Sequence, residues 1–142
     1  MTGKKKSVYR LEDQVGHILR RANQRHAAIF FDSLGQKLTP MQFAVLVKIG
    51  DEDEVSQNLL GRLAAMDPAT VQGVVRRLRE RGLIAARPDP EDGRRSLWSL
   101  SNTGKTLIQE TLSEAEGITE RTLKPLDSRE RATFLRLLRK LS

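Results

Sequence analysis

The sequence contains no cysteine, few aromatic residues and no long apolar run. The missing cysteine excludes disulfides, thiolate nucleophiles, cysteine-ligated zinc and thiol redox sensing. Aromatic residues make up 4% of the chain, so few stacking platforms for single-stranded nucleic acid are available. No stretch approaches the roughly 20 apolar residues that span a bilayer, and the basic start is not followed by the apolar region of a signal peptide. These absences predict a cytoplasmic protein with no membrane association.

Enzyme motifs are missing as well. The chain has no G-x-S-x-G elbow, no phosphate-cradling glycine loop and no H-E-x-x-H pair. Its carboxylates fall at positions typical of helix caps and solvated faces. We therefore predict a protein that is not an enzyme and needs no cofactor.

Basic charge is the strongest feature of the composition. The 142 residues include 25 Lys+Arg against 18 Asp+Glu, which gives a formal charge of +7. Such a chain is attracted to polyanions through the release of counterions. Its length predicts one domain, of a size at which a partner subunit often completes the core.

Apolar residues recur at helical spacing along most of the chain. The pattern predicts a long first helix over 11–34, then a helix that starts with a capping box at Thr39 and is stopped by Gly50 and the acidic residues 51–54. A short third helix follows over 56–65, and a fourth begins at Asp67 and is closed by Gly82. In the third helix we expect three leucines to point inward: Leu59, Leu60 and Leu63.

After Gly82 the period changes from helical to alternating. The residues 83–86 and 96–100, with a turn-rich segment between them, predict a two-stranded hairpin as the only sheet. Two more helices follow, one over 101–123 and one capped by Asp127. Three helices and then a hairpin are the order of a winged helix-turn-helix. The expected fold is therefore mainly α with a small β-hairpin wing, flanked by further helices.

The fourth helix has one apolar and one polar side. At 100° per residue, Val71, Val75 and Leu78 lie together with Val74 and would face the core. Small and hydrogen-bonding residues on the other side suit entry into a DNA major groove, where Gln pairs with adenine and Arg with guanine. The alternative interpretation of its arginines is a solvated helix face. The residues predicted to bind DNA, including one at the start of the third helix and two in the wing, are Gln57, Ala69, Thr70, Gln72, Gly73, Arg76, Arg77, Arg94 and Arg95.

Arginine is the only basic residue between Gly61 and Trp98, which favours forked contacts to phosphates and base edges. In the wing, Arg94 is the first candidate to reach the flanking minor groove or its phosphates, and Arg95 is the second. We expect Asp92 to orient Arg94.

The segment DPATVQGVVRRLRERGLIAARPDPEDGRRSLWSLSNTG resembles the core of the MarR family of transcriptional regulators. Asp67, Val71, Val75 and Leu78 match the family's recognition-helix pattern. The sequences RGLI, DPEDGR and LSNTG match the helix exit, the wing and the entry to the next helix. Gly93 stands where the family more often has a charged residue.

The resemblance implies a ligand-responsive transcriptional regulator, usually a repressor, that binds an inverted-repeat operator as a homodimer. Residues 1–142 would form one MarR-like domain, with dimerisation helices at 11–34 and 101–142 and the winged helix-turn-helix at 39–100. The outer helices also carry more apolar surface than a small winged domain can cover, which favours the same dimer. Recognition helices of the two subunits would lie about 34 Å apart.

Ligands of such regulators are often phenolic or aromatic acids. The sequence of the first helix resembles that of family members that control aromatic or nicotinate-type catabolism. His17, Arg20, Asn23 and His26 recur every three residues there and could bind a carboxylate beside apolar surface. The alternative is a hydrogen-bonded core or interface His26 and a solvated Arg20.

His17 and His26 lie about 180° apart on one helix, so they cannot chelate one metal within a chain. A metal-responsive regulator bridging subunits, or a constitutive nucleic-acid-binding protein without ligand, remain alternatives.

Overall fold

The computed structural model describes residues 8–142 as a helical protein with one small sheet. A short 3-10 helix, Leu11–Asp13, precedes the first α-helix and is separate from it. The α-helices and strands, in chain order, are α1 Val15–Leu34, α2 Pro40–Glu52, β1 Val55–Ser56, α3 Gln57–Leu63, α4 Pro68–Glu80, β2 Ile84–Pro88, β3 Ser96–Leu100, α5 Asn102–Leu123 and α6 Ser128–Lys140. None of the helices within this part of the chain is long and apolar enough to cross a membrane. The predicted fold class is confirmed.

Local signals set most helix ends. Thr39 and Gln42 form the predicted capping box at the start of α2, and Asp127 and Glu130 form another at the start of α6. Helix α2 runs past Gly50 and ends at Glu52, inside the acidic segment 51–54 that was expected to stop it together with Gly50. One glycine lowers helix stability by only about 1 kcal/mol relative to alanine, so packing of the α2 apolar face can carry the helix past it.

The sheet has three strands in the order β1-β3-β2, so the expectation of a two-stranded hairpin as the only sheet is wrong. β2 and β3 form the hairpin, and β1 pairs antiparallel with the other edge of β3, with Val55 opposite Trp98. β1 has two residues, too few to produce an alternating pattern. We call the hairpin of β2 and β3, with the turn 89–95 between them, the wing.

The main core lies inside the winged part, between α2, α3, α4 and the sheet. Leu46, Leu60 and Leu78 are fully buried there. Of the three leucines expected to point inward from α3, Leu60 is buried and Leu59 packs against the core, but Leu63 is 38% exposed. One turn after Leu60 it is Ala64, and not Leu63, that packs inward.

Close packing joins the winged part to α5. A Cβ on Gly104 would overlap the carbonyl oxygen of Leu83, so only glycine fits at this crossing. The same carbonyl accepts the backbone N–H of Ser101, whose side chain caps α5. Helix α5 therefore leaves β3 in a fixed direction, and it then packs along α1.

The outer helices are α1, α5 and α6. Of these, α1 and α5 share a smaller core around Phe30, Leu34 and Ile118, and Phe43 of α2 packs against it. Helix α6 buries none of its residues. Large apolar side chains of these helices remain exposed, namely Val15, Ile18, Leu19, Phe31, Leu112, Phe134, Leu137 and Leu138. We call this set the outer apolar face.

Candidate nucleic-acid interface

Helix α4 is started by Asp67. The two carboxylate oxygens of Asp67 accept the backbone N–H and the hydroxyl of Thr70, at 2.8 and 2.9 Å. These hydrogen bonds, the backbone one first, hold the pKa of Asp67 below its ordinary value. Pro68 occupies the first turn, where its missing N–H costs nothing. The hydroxyl of Thr70, predicted to meet DNA, is thus engaged in the cap.

The inward side of α4 is as predicted. Val71, Val74, Val75 and Leu78 are all buried against the main core. The opposite side is polar and exposed, so the helix is anchored by one face while the other is free to meet a partner.

A cavity of about 450 Å³ lies between the exposed side of α4, the start of α3 and β3. We call it the recognition cavity. Five of the residues predicted to bind DNA line it, namely Gln57, Ala69, Gln72, Gly73 and Arg76. Thr70 and Arg77 do not. Arg77 lies five residues after Gln72, about 140° round the helix, and so belongs to the opposite shoulder of α4.

Gly73 leaves the middle of this surface open. A Cβ at this position would meet no atom within 4 Å, so nothing inside the described chain requires glycine there. Glycine in a helix interior is less stable than alanine by about 1 kcal/mol. Gly73 lies on an exposed face, where the absence of a side chain suits the close approach of an external partner.

The wing carries the two remaining predicted residues. Arg94 and Arg95 line a second cavity of about 260 Å³ that shares Gln57 and Trp98 with the recognition cavity. Asp92 accepts the backbone N–H of Arg94 at 3.1 Å, but its ion pair is with the side chain of Arg95, at 3.8 Å. The expectation that Asp92 orients the Arg94 side chain is therefore corrected: Asp92 holds the Arg94 backbone and the Arg95 guanidinium.

The base of the wing is braced by a forked ion pair. Arg87 on β2 donates two hydrogen bonds to the carboxylate of Glu54, at 2.7 and 2.6 Å. The side-chain hydrogen bond from Arg87 is the main reason why the pKa of Glu54 lies below its ordinary value, and it raises the pKa of Arg87. Since its donors are taken up in this way, Arg87 supports the wing and is not among the free arginines.

Two residues of the surface were not among the predicted site residues. Arg79 and Trp98 both line the recognition cavity. Arg79 lies seven residues after Gln72, which is two helical turns, so the spacing itself places it on the same stripe. Trp98 fits the alternating pattern of a strand, and only the folding of β3 beneath α4 brings it to this surface.

The four candidate ligand residues on α1 do not surround one cavity. Asn23 and His26 line an apolar cavity of about 380 Å³ between α1, α5 and α6, which we call the outer cavity. His26 Nδ1 lies 2.9 Å from the hydroxyl oxygen of Thr122 on α5, the hydrogen-bonded arrangement left open as an alternative. His17 is half-buried and Arg20 is exposed, and neither lines the cavity. Over residues 8–142 no three His, Asp or Glu side chains are grouped to hold a metal ion.

Comparison with known proteins decides the family. Residues 36–95 match the model of the MarR family. The transcriptional repressor NicR of Pseudomonas putida is 39% identical over 134 residues, which are 94% of this chain and 85% of NicR. The chain belongs to the MarR family. It is therefore a DNA-binding transcriptional regulator and not an enzyme.

Solved structures of this family have the same fold. A probable transcriptional regulator of Pseudomonas aeruginosa is 50% identical, with a TM-score of 0.91 over 94% of this chain and 100% of that one. BpsR of Bordetella bronchiseptica, whose DNA binding is regulated by 6-hydroxynicotinic acid, is 42% identical, with a TM-score of 0.90 over 94% of this chain and 96% of BpsR. The match to these structures therefore covers the outer helices as well as the winged helix-turn-helix.

Proposed function

We propose that this MarR-family protein is a homodimeric repressor that binds an inverted-repeat operator and is released by a small aromatic acid. The observation that carries the proposal is the recognition cavity, which joins an open helix face to an arginine-bearing wing. Acting on chromosomal DNA, the repressor would work in the cytoplasm.

Side-chain chemistry assigns different contacts with the operator to α4 and to the wing. Gln72 and Arg76 offer hydrogen bonds to base edges in the major groove, and Ala69 and Gly73 let the α4 backbone approach closely. Arg94 lies on the wing without a carboxylate partner among residues 8–142, and it reaches the flanking minor groove or its phosphates. Arg95 shares this role more weakly, since Asp92 competes for it.

A second copy of the chain covers the outer apolar face. Phe134 is 41% and Leu137 46% exposed on a helix that has no buried residue. Soluble monomers rarely leave large contiguous apolar patches in water. A two-fold axis through α1, α5 and α6 would bury this face and set two wings side by side, as an inverted repeat requires. In such a dimer Asn23 and His26 belong to the interface.

The ligand is proposed from the relatives and from the remaining polar residues of α1. NicR and BpsR are two of the proteins that this chain resembles, and the DNA binding of BpsR is regulated by 6-hydroxynicotinic acid. A pyridine carboxylic acid needs a cation for its carboxylate and a donor or acceptor for its ring nitrogen. Arg20 and His17, which lie one turn apart and outside the outer cavity, supply these groups.

The operator half of the proposal is tested by selecting duplexes from a randomised library with the purified protein. We expect the enriched sequences to contain an inverted repeat whose half-sites are about one helical turn apart. Enrichment of single half-sites, or of no common sequence, contradicts a dimeric reader.

The ligand half is tested by calorimetry and by titration of the selected duplex. We expect 6-hydroxynicotinic or nicotinic acid to bind and to lower duplex affinity. Arg20→Ala is expected to abolish this response while it leaves duplex binding unchanged, and Arg21→Ala, an exposed neighbour, serves as the control. Unchanged duplex affinity at saturating acid would contradict the proposal that these acids are inducers.

A further inference from the structure

Arg79 and Trp98 meet where α4 passes over the wing. The Cζ atom of Arg79 lies 6.0 Å from the centroid of the Trp98 ring. Trp98 is 6% exposed and is held on the central strand β3, between Val55 of β1 and Ala86 of β2. The indole is therefore a rigid platform, and the guanidinium rests on it by cation–π attraction.

Arg79 has no competing partner inside the described chain. Over residues 8–142 it forms neither an ion pair nor a side-chain hydrogen bond, whereas Arg87 and Arg95 are both paired with carboxylates. The Nε1 atom of Trp98 is enclosed and also lacks a partner. The charged side chains that line the recognition cavity are both arginines, Arg76 and Arg79. The junction thus offers the unpaired guanidinium of Arg79 and no carboxylate, which is the chemistry of a phosphate site.

The position of Arg79 along α4 separates it from the base-reading residues. It lies seven residues beyond Gln72 on the same stripe, about 10 Å further along the helix axis at 1.5 Å per residue. A recognition helix reads bases with its N-terminal residues, in a major groove about 12 Å wide. When Gln72 is in the groove, Arg79 therefore lies at its rim, where the phosphates are.

We propose that Arg79, positioned by Trp98, binds a backbone phosphate of the operator at the junction of α4 and the wing. The inference rests on the proposed operator binding and adds two residues to it. Arg79 makes the phosphate contact, and Trp98 is a positioning residue that keeps the guanidinium extended before DNA arrives. Because the side chain is already ordered, less conformational entropy is lost on binding.

The test compares Arg79→Gln with Arg129→Gln, an exposed arginine of α6 that forms no ion pair within residues 8–142. Both variants lose one charge. With the duplex selected by the wild type, we expect Arg79→Gln to lower affinity roughly tenfold near 0.15 M salt and to reduce the slope of log affinity against log salt by about 1. Arg129→Gln is expected to stay within about twofold, with the slope unchanged.

Two outcomes overturn the phosphate assignment. One is an Arg79→Gln variant with wild-type affinity and salt slope. The other is a changed sequence preference when the selection is repeated with that variant, because a phosphate contact carries no base information. A wild-type protein that selects no duplex at all would instead refute the operator binding on which the inference rests.

The role of Trp98 is tested by a double-mutant cycle and by charge-preserving replacement. Trp98→Phe is expected to lower affinity about threefold in the Arg79 background and not at all in the Arg79→Gln background. Equal losses in both backgrounds would mean that Trp98 acts through the fold alone. Arg79→Lys, which leaves the core untouched, is expected to keep the salt slope but lose affinity, since lysine lacks the planar fork that stacks on the indole. Wild-type affinity in this variant would overturn the stacked geometry.

Trp98 is the single tryptophan of the chain, so its fluorescence reports the junction directly. Saturation with the selected duplex is expected to change the emission, because a phosphate then lies beside the guanidinium that rests on the indole. Unchanged emission while the duplex is bound would place the DNA away from this junction.

Discussion

The winged part and the outer helices show opposite chemistry at their surfaces. The winged part buries its leucines and valines in one core and exposes arginines around α4 and the wing. The outer helices have a core of three buried residues and leave a broad apolar face in water. The winged part has a complete apolar core and exposed positive charge, which suits the binding of a polyanion. The outer helices leave apolar side chains uncovered, which suits packing against a second copy of the chain.

The largest expected effect comes from placing a charge on the outer apolar face. Leu138→Glu is expected to convert the proposed dimer to a monomer and to weaken operator binding by about 100-fold or more, because a carboxylate cannot be buried unpaired in an interface. Analytical ultracentrifugation and duplex titration measure the two effects. Leu63→Glu, at an exposed leucine of α3, is expected to remain dimeric. A Leu138→Glu dimer would place the interface elsewhere.

The next largest expected effect is on stability, and it comes from shortening a leucine in the core of the winged part. Leu78→Ala removes a fully buried side chain beneath α4, and we expect the free energy of unfolding to fall by about 2–5 kcal/mol. Denaturant unfolding at one fixed protein concentration measures it. Leu63→Ala is expected to change it by less than about 1 kcal/mol. Similar losses in the two variants would contradict the burial difference between these leucines.

A smaller effect distinguishes base reading from phosphate contact on the recognition surface. Gln72→Ala is expected to relax the preference for particular bases, whereas Arg94→Ala is expected to lower affinity roughly tenfold for all duplexes and to reduce the salt slope by about 1. Repeated selection and salt titration measure these changes. If Arg94→Ala kept both its affinity and its salt dependence, the wing would not touch DNA.

The smallest effect is the pH dependence of the α4 cap. The pKa of Asp67 is lowered in the folded protein, so its carboxylate contributes stability above about pH 3.9 that is lost as the pH falls through the folded-state value. Asp67→Asn keeps an oxygen acceptor but does not titrate. Between pH 5 and pH 3, a range that brackets the ordinary Asp pKa of about 3.9, we expect the thermal midpoint of the wild type to fall more steeply than that of Asp67→Asn. Parallel curves would show that the cap does not depend on the charge.

The sequence predicted what neighbours along the chain decide. Val71, Val75 and Leu78 fall on one side of α4 by their spacing alone, and the structure buries them. The caps at Thr39 and Asp127 involve groups three residues apart, so the sequence shows both partners at once. The order of the elements followed from the same local signals.

Two of the misses were matters of distant contact. Strand β1 exists because Val55 pairs with Trp98, which is 43 residues away by numbering, and two residues carry no periodic signal of their own. The ridge of His17, Arg20, Asn23 and His26 looked continuous on one helix, but α5 and α6 enclose only its C-terminal half.

The sequence by itself thus determined the helices, their caps, the buried side of α4 and the family to which the chain belongs. These depend on residues within about two helical turns of each other, whose relative positions are set by helix geometry. Only the tertiary structure decided that Arg87 is paired with Glu54 and that Arg79 rests on Trp98. Those contacts depend on how β2 lies beside the residues before β1 and how α4 packs over β3, and spacing along the chain does not encode these distances.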